Sequence, residues 1–387
     1  MSDIISIQIP YTLMGEGSVS GIGDIIKGFD PTNVLIVTDM GIVEAGLLDK
    51  IRSSLQKIGC KFDVFDGCKP NAPSSVIEEC SKRVKEGGYD LLIGVGGGSV
   101  LDTTKIVSVI ASSGMKVQDL LVPGKGGEKV LPKVLVPTTS GTGSEWSEIG
   151  MFTDETDRQK KALRINQLYA NAAIVDPEMT LNLPQRITAD TGMDALSHAI
   201  EGYVSIRSNM VSDMFAEAAI RLIPENLRLA YAKGHRHMEA RRKLAIASSL
   251  AMETGVICGV GMAHYLDGFI VTRAHISHGA ALSILLPHVM EFHLVAASTK
   301  FAKIAELMGE KIDGLSVMDA ARKSIDAVRR LSQDLGMTQR LSDVGISDAD
   351  IPQIVGDMFK YMGPMVERSN PRIVSREDVI RVLRSAF

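Results

Sequence analysis

Short apolar runs rich in β-branched residues recur through the first half of the chain, each followed by a helical stretch. No other feature constrains the fold as much. Residues 33–38 (NVLIVT) make a brief apolar strand closed by Asp39-Met-Gly41, and residues 43–58 then carry apolar positions at helical spacing. A second strand is expected at 61–65 (KFDVF), followed by the turn KPNAP at 69–73. Ser74 or Ser75 can cap the next helix, which runs to about Glu86 and is stopped by Gly87-Gly88. Residues 89–95 and 133–137 read as a third and a fourth strand. Continuous apolar strands separated by helices indicate a parallel sheet covered on both faces. From about Thr180 the texture changes. Amphipathic stretches at 189–204, 210–232, 240–253, 294–308, 317–335 and 351–362 follow one another, and β-rich runs nearly vanish. The expected organisation is an α/β nucleotide-binding domain over 1–180 and an all-α domain over 181–387.

Bulk properties narrow the class. With 387 residues, 45% of them hydrophobic, the chain can bury a sizeable core. A net charge of −4 gives no footprint for nucleic acid or an anionic membrane surface. Cys60, Cys68, Cys80 and Cys258 form no CxxC pair, which suits a reducing cytoplasm. The first residues lack a basic segment with an apolar stretch behind it, so no signal peptide is expected. No apolar run reaches the ~18 residues a membrane span requires.

Two loops point to a nucleotide. The strand ending at Val95 runs into GGGSVLDTTK at 96–105. Glycines between a strand and a helix let the backbone approach a ligand, and the helix N-terminus favours a diphosphate there. A structural strand-to-helix turn would look the same, and Gly94-Val-Gly96 lacks the third glycine of the usual dinucleotide fingerprint. The second loop, PTTSGTGSE at 137–145, packs hydroxyls and glycines after another strand, more short donors than a connector needs. Ligands of open α/β sheets bind at such strand ends. Asp39 ends the first strand, where a carboxylate can accept from an adenosine ribose; it can equally be an ordinary turn residue.

A metal site is suggested farther on. In GMDALSHAIE at 192–201, read as a helix start, Asp194 and His198 are four apart and share a face. They supply half of a first-row metal site or a plain helical ion pair. His264 and His278 lie in apolar or small surroundings, where a neutral histidine needs a partner on each nitrogen. His275, His288 and His293 compete for the remaining positions, and spacing does not choose among them. His235 and His237 fall in a basic stretch and read as solvent-facing.

Taken together, the chain resembles the iron-containing (group III) alcohol dehydrogenases, a family that includes lactaldehyde reductases, 1,3-propanediol dehydrogenases and butanol dehydrogenases. GEG at 15–17, IVTD at 36–39, PNAP at 70–73, GGGSxxDxxK at 96–105, PTTSGTGSE at 137–145, AIVDPEMTLNLP at 173–184, GMDALSHAIEGYVS at 192–205, HGAALSILLPHVMEF at 278–292 and NPR at 370–372 fall in family order. The resemblance implies a Rossmann-like domain, a helical domain and a cofactor cleft between them. It implies hydride transfer between NAD(H) and a small alcohol or aldehyde, with Fe²⁺, or Zn²⁺ on the same ligands. A gapless alignment makes Asp194, His198, His264 and His278 the ligands and leaves His275 outside. Asp39, Asn71, Gly97, Gly98, Ser99, Thr138, Thr139, Thr142 and Lys160 match positions that hold the dinucleotide. A homo-oligomer is a further implication. The alternatives are a glycerol-dehydrogenase-like or dehydroquinate-synthase-like member of the superfamily, and a nucleotide-binding protein without catalysis. One departure stands out: where the family usually has a histidine four residues after the third ligand, this chain has Gly268. Its absence opens space beside the nicotinamide and suggests a substrate with an additional polar group.

Overall fold

The computed structural model describes residues 7–122, 124–125, 130–157 and 159–387. It divides into two compact units, Gln8–Asn182 and, together with Ile7, Leu183–Phe387.

In the first unit, β1 (Tyr11–Met14), β2 (Asn33–Val37), β3 (Lys61–Phe65), β4 (Leu91–Gly96), β5 (Lys133–Pro137) and β8 (Ala172–Val175) form a six-stranded sheet in the order β1-β8-β5-β4-β2-β3. Every pairing in it is parallel. The helices are α1 (Ile22–Lys27), α2 (Met40–Glu44), α3 (Asp49–Lys57), α4 (Ser74–Gly87) and α5 (Gly98–Ser113). Alternate strand residues face opposite ways, as the pleat requires. Val34 and Ile36 pack with Ile22, Ile26, Ile51 and Leu55 of α1 and α3. Leu35 and Val37 pack with Ile77, Val84, Ile106 and Ile110 of α4 and α5. Both faces are therefore covered, which is why these strands read as unbroken apolar runs.

Several local expectations are corrected. The helix expected over 43–58 is two helices, α2 and α3, because Gly46 takes a left-handed φ of 69° between them. Asp39 does not merely end a strand: its carboxylate accepts from the Ile42 amide at 3.1 Å and caps α2. Neither Ser74 nor Ser75 caps α4 from the N-cap position, which Pro73 occupies. Glu155 does that work instead, accepting from the Ser75 amide at 2.7 Å. An antiparallel pair, β6 (Ile149–Asp154) with β7 (Gln159–Arg164), was not anticipated; β7, QKKALR, is too polar to read as a strand.

The second unit contains α6 (Gln185–Val204), α7 (Met210–Lys233), α8 (Met238–Cys258), α9 (Met262–Ala274), α10 (His278–His293), α11 (Ser298–Leu307), α12 (Val317–Asp334), α13 (Ile351–Ser369) and α14 (Arg376–Ser385). GMDALSHAIE is not a helix start, since α6 begins seven residues earlier, after Pro184. Gly192 is needed for packing: a Cβ there would lie 2.3 Å from Leu227 of α7. Helices α9 and α10 escaped the periodicity reading because their burial is nearly all-round, which removes the apolar-to-polar contrast. No single described helix is long and apolar enough to cross a membrane.

Candidate functional site

Three helices bring four donors together in the second unit. Asp194 and His198 project from one face of α6, His264 from the first turn of α9, and His278 begins α10. Asp194 Oδ1 lies 3.2 Å from His198 Nδ1, 3.5 Å from His264 Nε2 and 3.2 Å from His278 Nε2. Asp194 is 3% and His198 5% exposed, so the cluster is shielded from bulk solvent. Asp194 Oδ1, His198 Nδ1 and His264 Nε2 are buried without a hydrogen-bond partner among the described residues. Acceptors crowded in this way repel unless a cation or proton sits among them. Donors each ~2.0–2.1 Å from a shared tetrahedral ion lie about 3.3 Å apart. Asp194 Oδ1 stands at about that distance from each of the three imidazoles, and the ligand atoms of Asp194, His198 and His264 all lie within 4.8 Å of one another, a group that does not include His278. The donor set fits a first-row divalent metal.

Carboxylates behind the histidines orient two of the rings. Glu201, one turn beyond His198 on α6, accepts from His264 Nδ1 at 2.6 Å. Asp267, one turn beyond His264 on α9, pairs with His278 Nδ1. Each leaves Nε2 facing Asp194, the nitrogen a metal would take. Burial opposes charge on His264, yet the neighbouring carboxylates of Asp194 and Glu201 lift its pKa to about 10. Burial likewise works against the Asp194 carboxylate, but His198 and His278 hold it well below the usual range. Without a metal the carboxylates favour a proton on His264, and a divalent ion would take the place of that proton among the same donors.

The start of α9 is anchored as firmly. Glu201 also accepts from the Gly261 and Ala263 amides at 3.0 and 2.7 Å, and Asn370 Oδ1 from the Met262 amide at 3.0 Å. These satisfy amides that a helix N-terminus leaves free. Gly279 lets α10 touch α6: a Cβ there would lie 1.9 Å from the Asp190 carbonyl oxygen. Glu201 and Asp267 were missed in the sequence. Their signal was present, since 194, 198 and 201 share a face of α6 and 264 and 267 a face of α9.

His275 is exposed and left-handed (φ 52°) at the end of α9. His288 Nδ1 meets Ser385 Oγ at 2.9 Å, and His293 is buried beside Asn370. None of them joins the cluster. His235 is exposed, but His237 is half-buried and accepts from the Ala240 amide at the start of α8, a correction to its solvent-facing reading.

In the first unit, the two polar loops lie side by side at the C-terminal ends of β4 and β5. The Thr138 amide donates to the Gly96 carbonyl at 3.0 Å. A Cβ on Gly97 would lie 3.3 Å from Thr139, and one on Gly98 2.7 Å from Thr142, so the glycines permit the close approach. The Asn71 amide donates to Ser99 Oγ at 3.0 Å. Lys160 pairs opposite Thr153, whose amide and hydroxyl donate to the Asn71 carbonyl. Asn71, Gly97, Gly98, Ser99, Thr138, Thr139, Thr142 and Lys160 thus form one neighbourhood. Asp39 stands apart from their contacts, at the end of neighbouring β2. Gly97 offers α5 no side-chain cap, which suits a helix end that receives a phosphate.

Asp102 and Lys105 of the GGGSxxDxxK segment brace the second loop from beneath. Lys105 is fully buried and donates to the Ser144 carbonyl at 3.0 Å and to that of Ile149. It pairs with Asp102 at 3.1 Å. Asp102 accepts from Ser144 Oγ at 2.6 Å and the Met151 amide at 3.0 Å.

This combination of a nucleotide-type sheet and a carboxylate–histidine cluster is matched among known proteins. Residues 10–177 match the family described as iron-containing alcohol dehydrogenase, and residues 188–387 its C-terminal part. The chain belongs to the iron-containing alcohol dehydrogenase family. It is 36% identical to a 1,3-propanediol dehydrogenase of Citrobacter freundii over 96% of both chains. It is 32% identical to an NAD-dependent methanol dehydrogenase of Bacillus methanolicus over 98% of both. The solved structure of an alcohol dehydrogenase from Oenococcus oeni superposes with a TM-score of 0.95 at 32% identity, covering 99% of this chain and 100% of that one.

As an iron-containing alcohol dehydrogenase, the protein is an NAD-dependent oxidoreductase acting on small alcohols and aldehydes. The buried donor set is where iron chemistry fits. Gly268 also acquires a setting: it lies one turn after His264 on α9, and a Cβ there meets nothing within 4 Å.

Proposed function

We propose that Asp194, His198, His264 and His278 hold the catalytic divalent ion, and that Asp39, Asn71, Gly97, Gly98, Ser99, Thr138, Thr139, Thr142 and Lys160 hold NAD(H). The observation that carries the first half is the convergence of three imidazoles on Asp194 Oδ1, with three of the four donor atoms buried and without partners among the described residues. When bound, the ion supplies positive charge to the substrate oxygen and the nicotinamide accepts or returns the hydride. The chain's own residues prepare the ground. Glu201 and Asp267 keep the Nδ1 protons of His264 and His278 so that Nε2 stays available, and the burial of Asp194 and His198 keeps water from screening the charge. In the first unit, the glycines let backbone amides near the diphosphate, and the threonine hydroxyls of the second loop orient the ribose and carboxamide. Asp39 accepts from the adenosine ribose. The four free cysteines are compatible with a cytoplasmic setting, and the likeness to the family supports a homo-oligomer.

The substrate is a small alcohol or aldehyde that carries a further polar group. Open space at Gly268, beside the third ligand, supports this reading, since an imidazole there would fill it and offer a titrating group. NADH oxidation against an aldehyde panel, with metal analysis of the same preparation, tests both parts. Polar-substituted aldehydes should be turned over best, and Gly268→His should lower kcat/KM for them by about tenfold or more, within the range acid–base and steric changes produce. Best turnover with propanal or butanal, untouched by Gly268→His, rejects the substrate reading.

A further inference from the structure

His293, the last residue of α10, is a buried imidazole that neither the cluster nor the cofactor loops use. It is 2% exposed. Its Nε2 lies 3.1 Å from Asn370 Oδ1. The Asn370 amide nitrogen donates to the Val366 carbonyl at 2.8 Å, so its oxygen is the acceptor toward both His293 and the Met262 amide. His293 therefore carries its hydrogen on Nε2, and Nδ1 is a lone pair. That lone pair is buried and has no partner among the described residues.

Burying an acceptor without a hydrogen bond costs about 1–3 kcal/mol, so a donor is expected at Nδ1. No side chain among the described residues supplies one. A cavity of about 10 Å³ does have His293 in its wall, together with Glu201, Ser369 and Asn370, and with Leu286 and Phe301 among its apolar members. That volume is at the size one water requires, and a water there needs two to four polar partners. Glu201 is one. Its carboxylate already takes the Gly261 and Ala263 amides and His264 Nδ1, and a carboxylate offers roughly four acceptor sites.

We propose that a single buried water bridges His293 Nδ1 and the Glu201 carboxylate, and that His293 is thereby a positioning residue for the third metal ligand. It acts from two sides. Through Asn370 it holds the Met262 amide at the start of α9, two residues before His264. Through the water it fixes the carboxylate that orients the His264 ring. The role rests on the metal reading above, but the water does not.

A high-resolution crystal structure of the metal-loaded enzyme should show one ordered water within hydrogen-bonding distance of both His293 Nδ1 and Glu201. Its absence overturns the proposal whatever the variants do. His293→Leu removes both polar functions, and the metal dissociation constant should rise about tenfold, the low end of what outer-shell partners contribute. His293→Gln keeps a donor for Asn370 and an acceptor for the water, and should return metal affinity to within about twofold of wild type. A merely structural role predicts that the two variants differ in melting temperature but not in metal affinity, and that result also overturns the proposal. Absence of metal from the wild-type enzyme defeats the metal reading separately, leaving the water to be judged from the density.

Discussion

His264 and His278 each face a carboxylate on one nitrogen and Asp194 on the other, whereas His275 is exposed at a left-handed helix end. Removing either of the first two deletes a donor and strands the acid behind it. His264→Ala and His278→Ala should each lose most activity and most bound metal, measured by elemental analysis of purified protein. His275→Ala should keep the metal. Loss from His275→Ala alone would mean that the alignment placing His264 and His278 in the set is wrong. Asp39 needs a more careful substitution, because its carboxylate also caps α2. Asparagine caps about as well as aspartate. Asp39→Asn therefore spares the helix and removes only the charge that would repel a 2′-phosphate. The preference for NADH over NADPH, as a ratio of kcat/KM, should fall by about tenfold, equivalent to a modest Coulomb term near a protein surface. An unchanged ratio would show that Asp39 does not face the ribose.

At the scale of elements, the site depends on how closely α6, α9 and α10 approach. Gly279 sits against the Asp190 carbonyl with no room for a methyl group, and backbone on both sides leaves nothing flexible to yield. Gly279→Ala must push α10 away from α6 and carry His278 from Asp194. Overpacking of this kind costs typically 1–3 kcal/mol. The variant should melt several degrees lower and bind metal more weakly. Normal metal content with an unchanged melting temperature would show that the helices have slack. The first unit is organised similarly, by the buried Asp102–Lys105 pair holding the loop after β5.

For the molecule as a whole, the buried polar network sets a pH limit. Burial, with Arg372 nearby, outweighs Glu201 and Asn370 and lowers the His293 pKa to about 4. The unfolded chain binds that proton near pH 6.5. Because the folded value lies below the unfolded one, the protein loses stability as pH falls from about 6.5 to 4, by roughly 3 kcal/mol at the lower end. Above pH 6.5 this residue contributes no pH dependence. Urea unfolding of wild type and His293→Gln across that interval should show a shallower decline in the variant. Parallel declines would mean that His293 does not titrate as a buried neutral group.

Much of this was legible in the residues themselves. The apolar runs of β2, β4 and β5 read as buried strands because both faces of the sheet are covered. Asp194 and His198 could be paired from helical spacing, and the glycine and threonine loops could be placed at strand ends. These are local properties, governed by backbone sterics and by side-chain period. Tertiary structure decided the rest. Spacing left His264, His278, His275, His288 and His293 as rivals; the likeness to the family chose among them, and the physical reason for that choice lies in the packing of α9 and α10 on α6. Glu201 and Asp267 gain their roles from contacts that cross between helices. Helices buried nearly all round, such as α9 and α10, carry no periodic contrast, and the polar β7 is a strand because β6 lies beside it. A site assembled from several helices exists only where their packing brings the side chains together, and pairing across that distance leaves no pattern along the chain.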